Sequence, residues 1–168
     1  MVTRQINFKS WLTIGTLFLF GVGLYLLFAP LIILAVPFII WSYFDNLAFN
    51  RKYNDYLRTI SGTNFFCYNN RTNSKVFIEK NILPTLTADI KVIYLDGKTP
   101  KSEYDQSFIS KALYSIKDRK GFPYLLKISN GQLIDKSINN EFYNTMSQKK
   151  DIGQLSKKII SFYQTTWK

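Results

Sequence analysis

Gly121 to Ser137 reads GFPYLLKISNGQLIDKS, two short apolar runs on either side of Ser129-Asn130-Gly131. Asparagine and glycine both tolerate positive φ, so the Asn-Gly pair favours a tight hairpin turn. The reading is a strand at Tyr124 to Ile128, a turn, and a second strand at Gln132 to Asp135.

Outward from this hairpin, toward the amino terminus, Phe108, Ile109, Ala112, Leu113 and Ile116 recur at helical spacing beneath a basic outer face. Ile90 to Leu95 (IKVIYL) is rich in β-branched residues and bounded by Asp96-Gly97, which predicts a strand. From Lys75, the residues Val76, Phe77 or Ile78, Ile82 and Leu83 predict a helix ending near Pro84. Asn64 to Tyr68 (NFFCY) reads as another short strand, followed by a polar turn from Asn69 to Ser74. Toward the carboxyl terminus, Asp151 is placed to cap a helix that shows Ile152, Leu155, Ile159, Phe162 and Tyr163 on one face. The order strand, helix, strand, helix, hairpin, helix predicts an α/β fold, a mixed sheet covered by helices.

Ahead of this domain lies a different kind of sequence. Ser10 to Phe44 is thirty-five residues without one Lys, Arg, Asp or Glu. As one helix rising about 1.5 Å per residue it would extend roughly 52 Å, against a hydrocarbon core of about 30 Å. Two transmembrane spans, Trp11 to Phe28 and Leu31 to Ala48, joined by a turn at Ala29-Pro30 and with Pro37 kinking the second, satisfy that limit. Trp11, Trp41, Tyr43 and Phe44 fall where headgroup-level aromatics belong. Arg4 and Lys9 precede the stretch, and Arg51, Lys52 and Arg58 follow it. A hairpin puts both flanks on one side, which the positive-inside preference makes cytoplasmic. The alternative is a single span with the domain outside. Gly15, Gly21 and Gly23 allow close helix packing without forming a strict GxxxG.

Asp45 to Ile60 places Phe49, Tyr53, Tyr56, Leu57 and Ile60 at helical spacing, and Ser61-Gly62-Thr63 ends that helix. It either lies on lipid or a partner helix, or packs on the domain. The organisation read from the chain is therefore a multi-pass membrane anchor at 1–48, a juxtamembrane helix at 49–62 and a soluble domain at 63–168.

The chain has 22 basic and 11 acidic residues, and only Arg4 and Lys9 precede Asp45, which leaves twenty basic against eleven acidic beyond it, a formal +9. Such an excess suits anionic headgroups, nucleic acid or an acidic protein. The anchor favours the membrane surface. Nucleic acid is disfavoured because the aromatics fall on apolar stripes and not among basic residues on a strand face. One cysteine, Cys67, and no histidine exclude an intramolecular disulfide, a dithiol centre, a cysteine zinc cluster and the usual histidine-based hydrolytic sites.

The element order, with Lys120-Gly121-Phe122-Pro123 before an apolar strand and an Asn-Gly hairpin, resembles the C-terminal half of a thioredoxin, over about Asn64 to Tyr163. The resemblance implies a cis peptide bond before Pro123. It sets Asn70 and Asn73 where the family's two redox cysteines stand and Asn64 near its buried acid, so the dithiol kit is missing. Cys67 falls inside the first strand, where a buried, inert thiol is expected.

Two functions follow as expectations. The favoured one is a non-enzymatic interaction module in a cell membrane of the bacterial inner-membrane type, a subunit or accessory factor of a larger assembly. Its partners would be other membrane-protein subunits and anionic headgroups, with no cofactor and no metal. Contact candidates are Arg51, Lys52, Arg58, Lys149, Lys150, Lys157 and Lys158, although a run such as the last four is also an ordinary solvated face. The other function is a tethered thiol-exchange enzyme acting through Cys67. Asp96, Glu103 and Asp105 could ligate a hard cation but match no defensible loop. Asn70-Arg71-Thr72 is a glycosylation sequon only if the domain lies outside.

Overall fold

The computed structural model describes residues 8–148 and 150–165, with side chains from Trp11 onward. These divide into two units, Met1–Phe49 and Asn50–Lys168.

Helix α1 spans Phe8–Thr59 and contains both Pro30 and Pro37. The turn expected at Ala29-Pro30 is replaced by continuous helix. A proline removes one amide donor and crowds the preceding turn, which kinks a long helix without obliging it to stop. Leucine and alanine around Pro30 are good helix formers that carry the chain through. Within the first unit the apolar side chains are exposed on all sides, Trp41 at 74% and Leu34 at 74%. This helix is long and apolar enough to cross a membrane. Arg4 lies outside the described residues.

The second unit holds a five-stranded mixed sheet in the order β3-β2-β1-β4-β5. Its elements are β1 (Asn64–Asn69), α2 (Thr72–Phe77), β2 (Ile90–Asp96), β3 (Thr99–Lys101), α3 (Gln106–Tyr114), β4 (Tyr124–Ser129), β5 (Gln132–Ser137), α4 (Asn139–Gln148) and α5 (Ile152–Gln164). Helix α2 passes into a π turn at Ile78–Ile82 and a 3-10 turn at Leu83–Thr85. β1 and β2 run parallel, and every other neighbouring pair is antiparallel.

Alternation along β1 assigns its side chains to two cores. Phe65 and Cys67 face Ile109 and Ala112 of α3 together with Tyr53 and Leu57 of the α1 end. Phe66 and Tyr68 face Ile78, Phe142, Leu155 and Ile159, from the α2, α4 and α5 side. Fully burying a phenylalanine such as Phe65 or Phe66 contributes about 1.5–3 kcal/mol relative to exposure. Of the two readings of the helix after the apolar stretch, the structure takes the second: Tyr53 and Leu57 pack on the domain.

Two elements were not expected. β3 forms because Gly97, with φ +63, turns the chain after Asp96 and brings Thr99 back opposite it. Pro100 is tolerated there because the strand lies at the sheet edge. Helix α4 is asparagine-rich and of low intrinsic propensity, but it buries Phe142 completely, so tertiary packing overrides the local preference. The β4–β5 turn forms as the Asn-Gly pair dictates, with Asn130 at φ 51 and Gly131 at φ +72.

Candidate functional site at the carboxyl ends of the parallel strands

In open α/β sheets the crevice beyond the carboxyl ends of the parallel strands is the usual place for a ligand. Here β1 and β2 end side by side, with Asn69 in register with Leu95. Just beyond, Asn70 Nδ2 donates to Asp96 Oδ1 at 3.5 Å, and Lys101 Nζ donates to Asp96 Oδ2 at 2.6 Å. That Lys101 hydrogen bond, with smaller help from Asn70 and Lys75, holds the Asp96 carboxyl below the usual carboxylate range.

The turn into α2 is organised around Arg71. Its backbone N–H donates to Asn69 Oδ1 at 3.4 Å, and its guanidinium donates to the Tyr143 hydroxyl at 3.2 Å while lying 5.3 Å from that ring's centroid. Ser74, buried, shares a 2.8 Å hydrogen bond with the same hydroxyl. Tyr143 comes from α4, the helix that sequence reasoning missed. The spacing of Phe142, Tyr143 and Met146 was the signal that could have found it. In the π turn that follows α2, Glu79 accepts from the Tyr68 hydroxyl of β1 at 3.0 Å, and burial, reinforced by that carboxylate, pushes the Tyr68 hydroxyl up to about 12.

The residues set against the thioredoxin site are dispersed. Asn70 is bonded to Asp96, whereas Asn73 lines a hollow of about 480 Å³ with Val76, Phe77, Lys80, Asn81 and Met146. Asn64 stands at the opposite end of β1, about 17 Å away along a strand of this length. There its Nδ2 donates to Asp89 at 3.3 Å, and its buried Oδ1 has no partner among the described residues.

Pro123 is buried, and the Phe122-Pro123 peptide bond is cis. Cys67 opposes Tyr124 in the β1–β4 register, which places Pro123 next to the Tyr68 end of β1. The loop is pinned by Asn139 Nδ2 donating to the Phe122 carbonyl at 2.7 Å and Ser137 Oγ donating to that of Gly121 at 2.6 Å. The Cys67 thiol is entirely buried, and that burial pushes it far above the ordinary thiol value. A thiol so placed is neither ionised nor reachable.

The basic candidates do not form one surface. Arg51, Lys52 and Arg58 are exposed on the α1 end, which packs on one face of the sheet. Lys157 and Lys158 are exposed on α5, which packs on the other. Arg58 pairs with Asp55 at 3.4 Å, and Lys158 approaches Glu141 at 4.0 Å. Lys150 and Lys158 line a small polar hollow with Glu141 and Asp151. Lys149 lies outside the described residues.

The acidic trio is likewise occupied. Asp96 holds Lys101, Glu103 pairs with Lys91 at 3.3 Å, and Asp105 caps α3 by accepting from the Ser107 and Phe108 amides. Among the described residues no three His, Cys, Asp or Glu side chains gather as a metal site. What the site brings together is a set of amide, hydroxyl, carboxylate and cationic groups that bond one another. No family model, curated protein or solved structure matches the chain.

Proposed function

We propose that this chain is a membrane-anchored, non-enzymatic interaction module, in which α1 tethers a thioredoxin-like domain that binds partner subunits of a larger membrane assembly. The observation that carries this reading is the complete burial of Cys67 in β1, and in the thioredoxin-like frame the positions set against the two redox cysteines hold Asn70 and Asn73. The order of elements from β1 to α5, with the cis bond before Pro123, supports the thioredoxin-like frame.

Length supports a partner within the membrane. Tilted by about 40°, a helix crosses a 30 Å core with about 26 residues, leaving roughly nine of the thirty-five uncharged residues to be covered elsewhere. A neighbouring membrane subunit would cover them. A hairpin would do so within the chain itself, and the continuity of α1 favours a single crossing. A Lys136→Cys reporter in a Cys67→Ala background, labelled from outside on intact cells, separates the two. The single crossing with Arg4 and Lys9 inside requires labelling, and the hairpin requires none.

The functional test is Cys67→Ala in the cell, with purification in mild detergent. The module reading expects full rescue of the deletion phenotype and the same co-purifying membrane proteins. Loss of rescue by a folded Cys67→Ala protein would overturn it in favour of thiol exchange.

A further inference from the structure

A groove of about 410 Å³ opens between the β2–β3 turn and the connection from α3 to β4. It faces the α3 side of the sheet, away from Arg71 and Tyr143. Leu95, Leu113, Ile116 and Phe122 line it, with Lys98 and Arg119 beside them. Among the described residues Lys98 forms no ion pair, and Arg119 donates to the carbonyl oxygens of Ile116 and Tyr114 at 3.2 and 3.3 Å. Among the described residues no carboxylate lines the groove. Tyr114, whose ring lies 5.9 Å from the Arg119 guanidinium, is 77% exposed at its edge.

Resting on the reading of this domain as an interaction module, we propose that the groove docks a short acidic segment of a partner protein. An aromatic or aliphatic side chain of that segment fills the apolar floor, and a carboxylate sits between Lys98 and Arg119. The volume falls in the range of clefts that take a side chain or small ligand. The nearest acids along the chain are engaged elsewhere, Asp118 by Lys120 and the Ser137 amide and Asp96 by Lys101, so the two lining cations favour an incoming carboxylate, which gains charge-assisted hydrogen bonds there. Tyrosine and arginine are enriched among the residues that carry binding energy, and a segment seated over Tyr114 and Arg119 would take both out of water. A bilayer surface, flat on this scale, would meet the cations and leave the concave floor empty, so the shape selects a peptide over a lipid plane.

The test uses the full chain in mild detergent as bait for phage-displayed random nonapeptides. Enrichment of Asp or Glu flanking an aromatic or aliphatic residue is expected. A fluorescein-labelled synthetic copy should bind at least tenfold more weakly to Lys98→Glu/Arg119→Glu. The same loss is expected for Ser110→Trp, which fills the groove from exposed α3 without changing charge. Lys157→Glu/Lys158→Glu on α5 should bind as the parent does. Failure to enrich an acidic class, unchanged binding to Ser110→Trp, or equal loss in the α5 variant would each overturn the groove. So would peptide indifference to Lys98→Glu/Arg119→Glu when that variant loses binding only to phosphatidylglycerol vesicles. Selected peptides that bind elsewhere on the domain sink the groove and leave the module reading standing, since the Cys67→Ala test does not involve Lys98 or Arg119.

Discussion

Cys67 lies directly opposite Tyr124 across the antiparallel β1–β4 pairing, with none of its surface exposed. Its thiol should therefore react with a disulfide reagent only as the domain unfolds. Labelling across a denaturant series should track the unfolding transition, and fast stoichiometric labelling in native buffer would contradict the burial. Cys67→Ala should cost about 1–2 kcal/mol through the lost packing. Cys67→Ser should cost more, about 1–3 kcal/mol, because the hydroxyl needs a partner that the core must then supply. Denaturation midpoints give that ranking directly.

Gly131 combines a φ of +72 with the approach of Arg58, whose Cγ would stand 2.7 Å from an added Cβ. Gly131→Ala should destabilise the domain by about 1–2 kcal/mol. Arg58→Ala in the same chain should restore only part of that loss, since it removes the close contact and leaves the backbone strain. Full restoration in urea melts would show that the φ requirement has been overstated.

Leu57 is 4% exposed, packed with Tyr53 against α3 and the sheet. Leu57→Ala should cost about 2–4 kcal/mol, the range for a large-to-small change in a core. The same packing predicts that removing residues 1–49 leaves a cooperative unfolding transition, whereas removing 1–60 abolishes it. A sharp transition in the shorter chain would detach this helix end from the domain.

Asp96 is held below the usual carboxylate range by Lys101, so its contribution is complete above the ordinary value of about 3.9 and is lost as pH falls through the depressed folded value. The pair is exposed, so the effect is confined to the β2–β3 hairpin. Amide exchange at Thr99 and Lys101, corrected for intrinsic rates, should accelerate in strong acid. Asp96→Asn should show the accelerated exchange already at neutral pH. Equal protection of the wild-type hairpin at both pH values would remove the role given to this ion pair.

Much of this architecture is local and was legible as such. The Asn-Gly turn, the β-branched run of β2, the apolar run of β1 and the periodicity of α3 and α5 each state a backbone preference within a few residues. β3 was hidden by Pro100 between Thr99 and Lys101, a pattern that reads as a loop until a partner strand is supplied. Helix α4 was hidden by its asparagines, and only the pocket that receives Phe142 makes it helical. Ala29-Pro30 looked like a turn because proline is a poor helix residue, yet the apolar helix continues on both sides of it.

The amino-acid sequence alone determined that thirty-five uncharged residues precede a basic domain, that the domain mixes strands and helices, and that one cysteine without histidine excludes an intramolecular disulfide, a dithiol centre and histidine-based sites. Those properties depend on composition and short-range pattern. The tertiary structure decided the rest: that Cys67 is sealed against Tyr124, that Arg71 meets Tyr143 from a helix seventy-two positions away, and that the basic residues of α1 and α5 lie on opposite faces of the sheet. The reason is physical. A residue's chemistry is set by the groups that burial and strand register bring beside it, and these come from parts of the chain that no local pattern links.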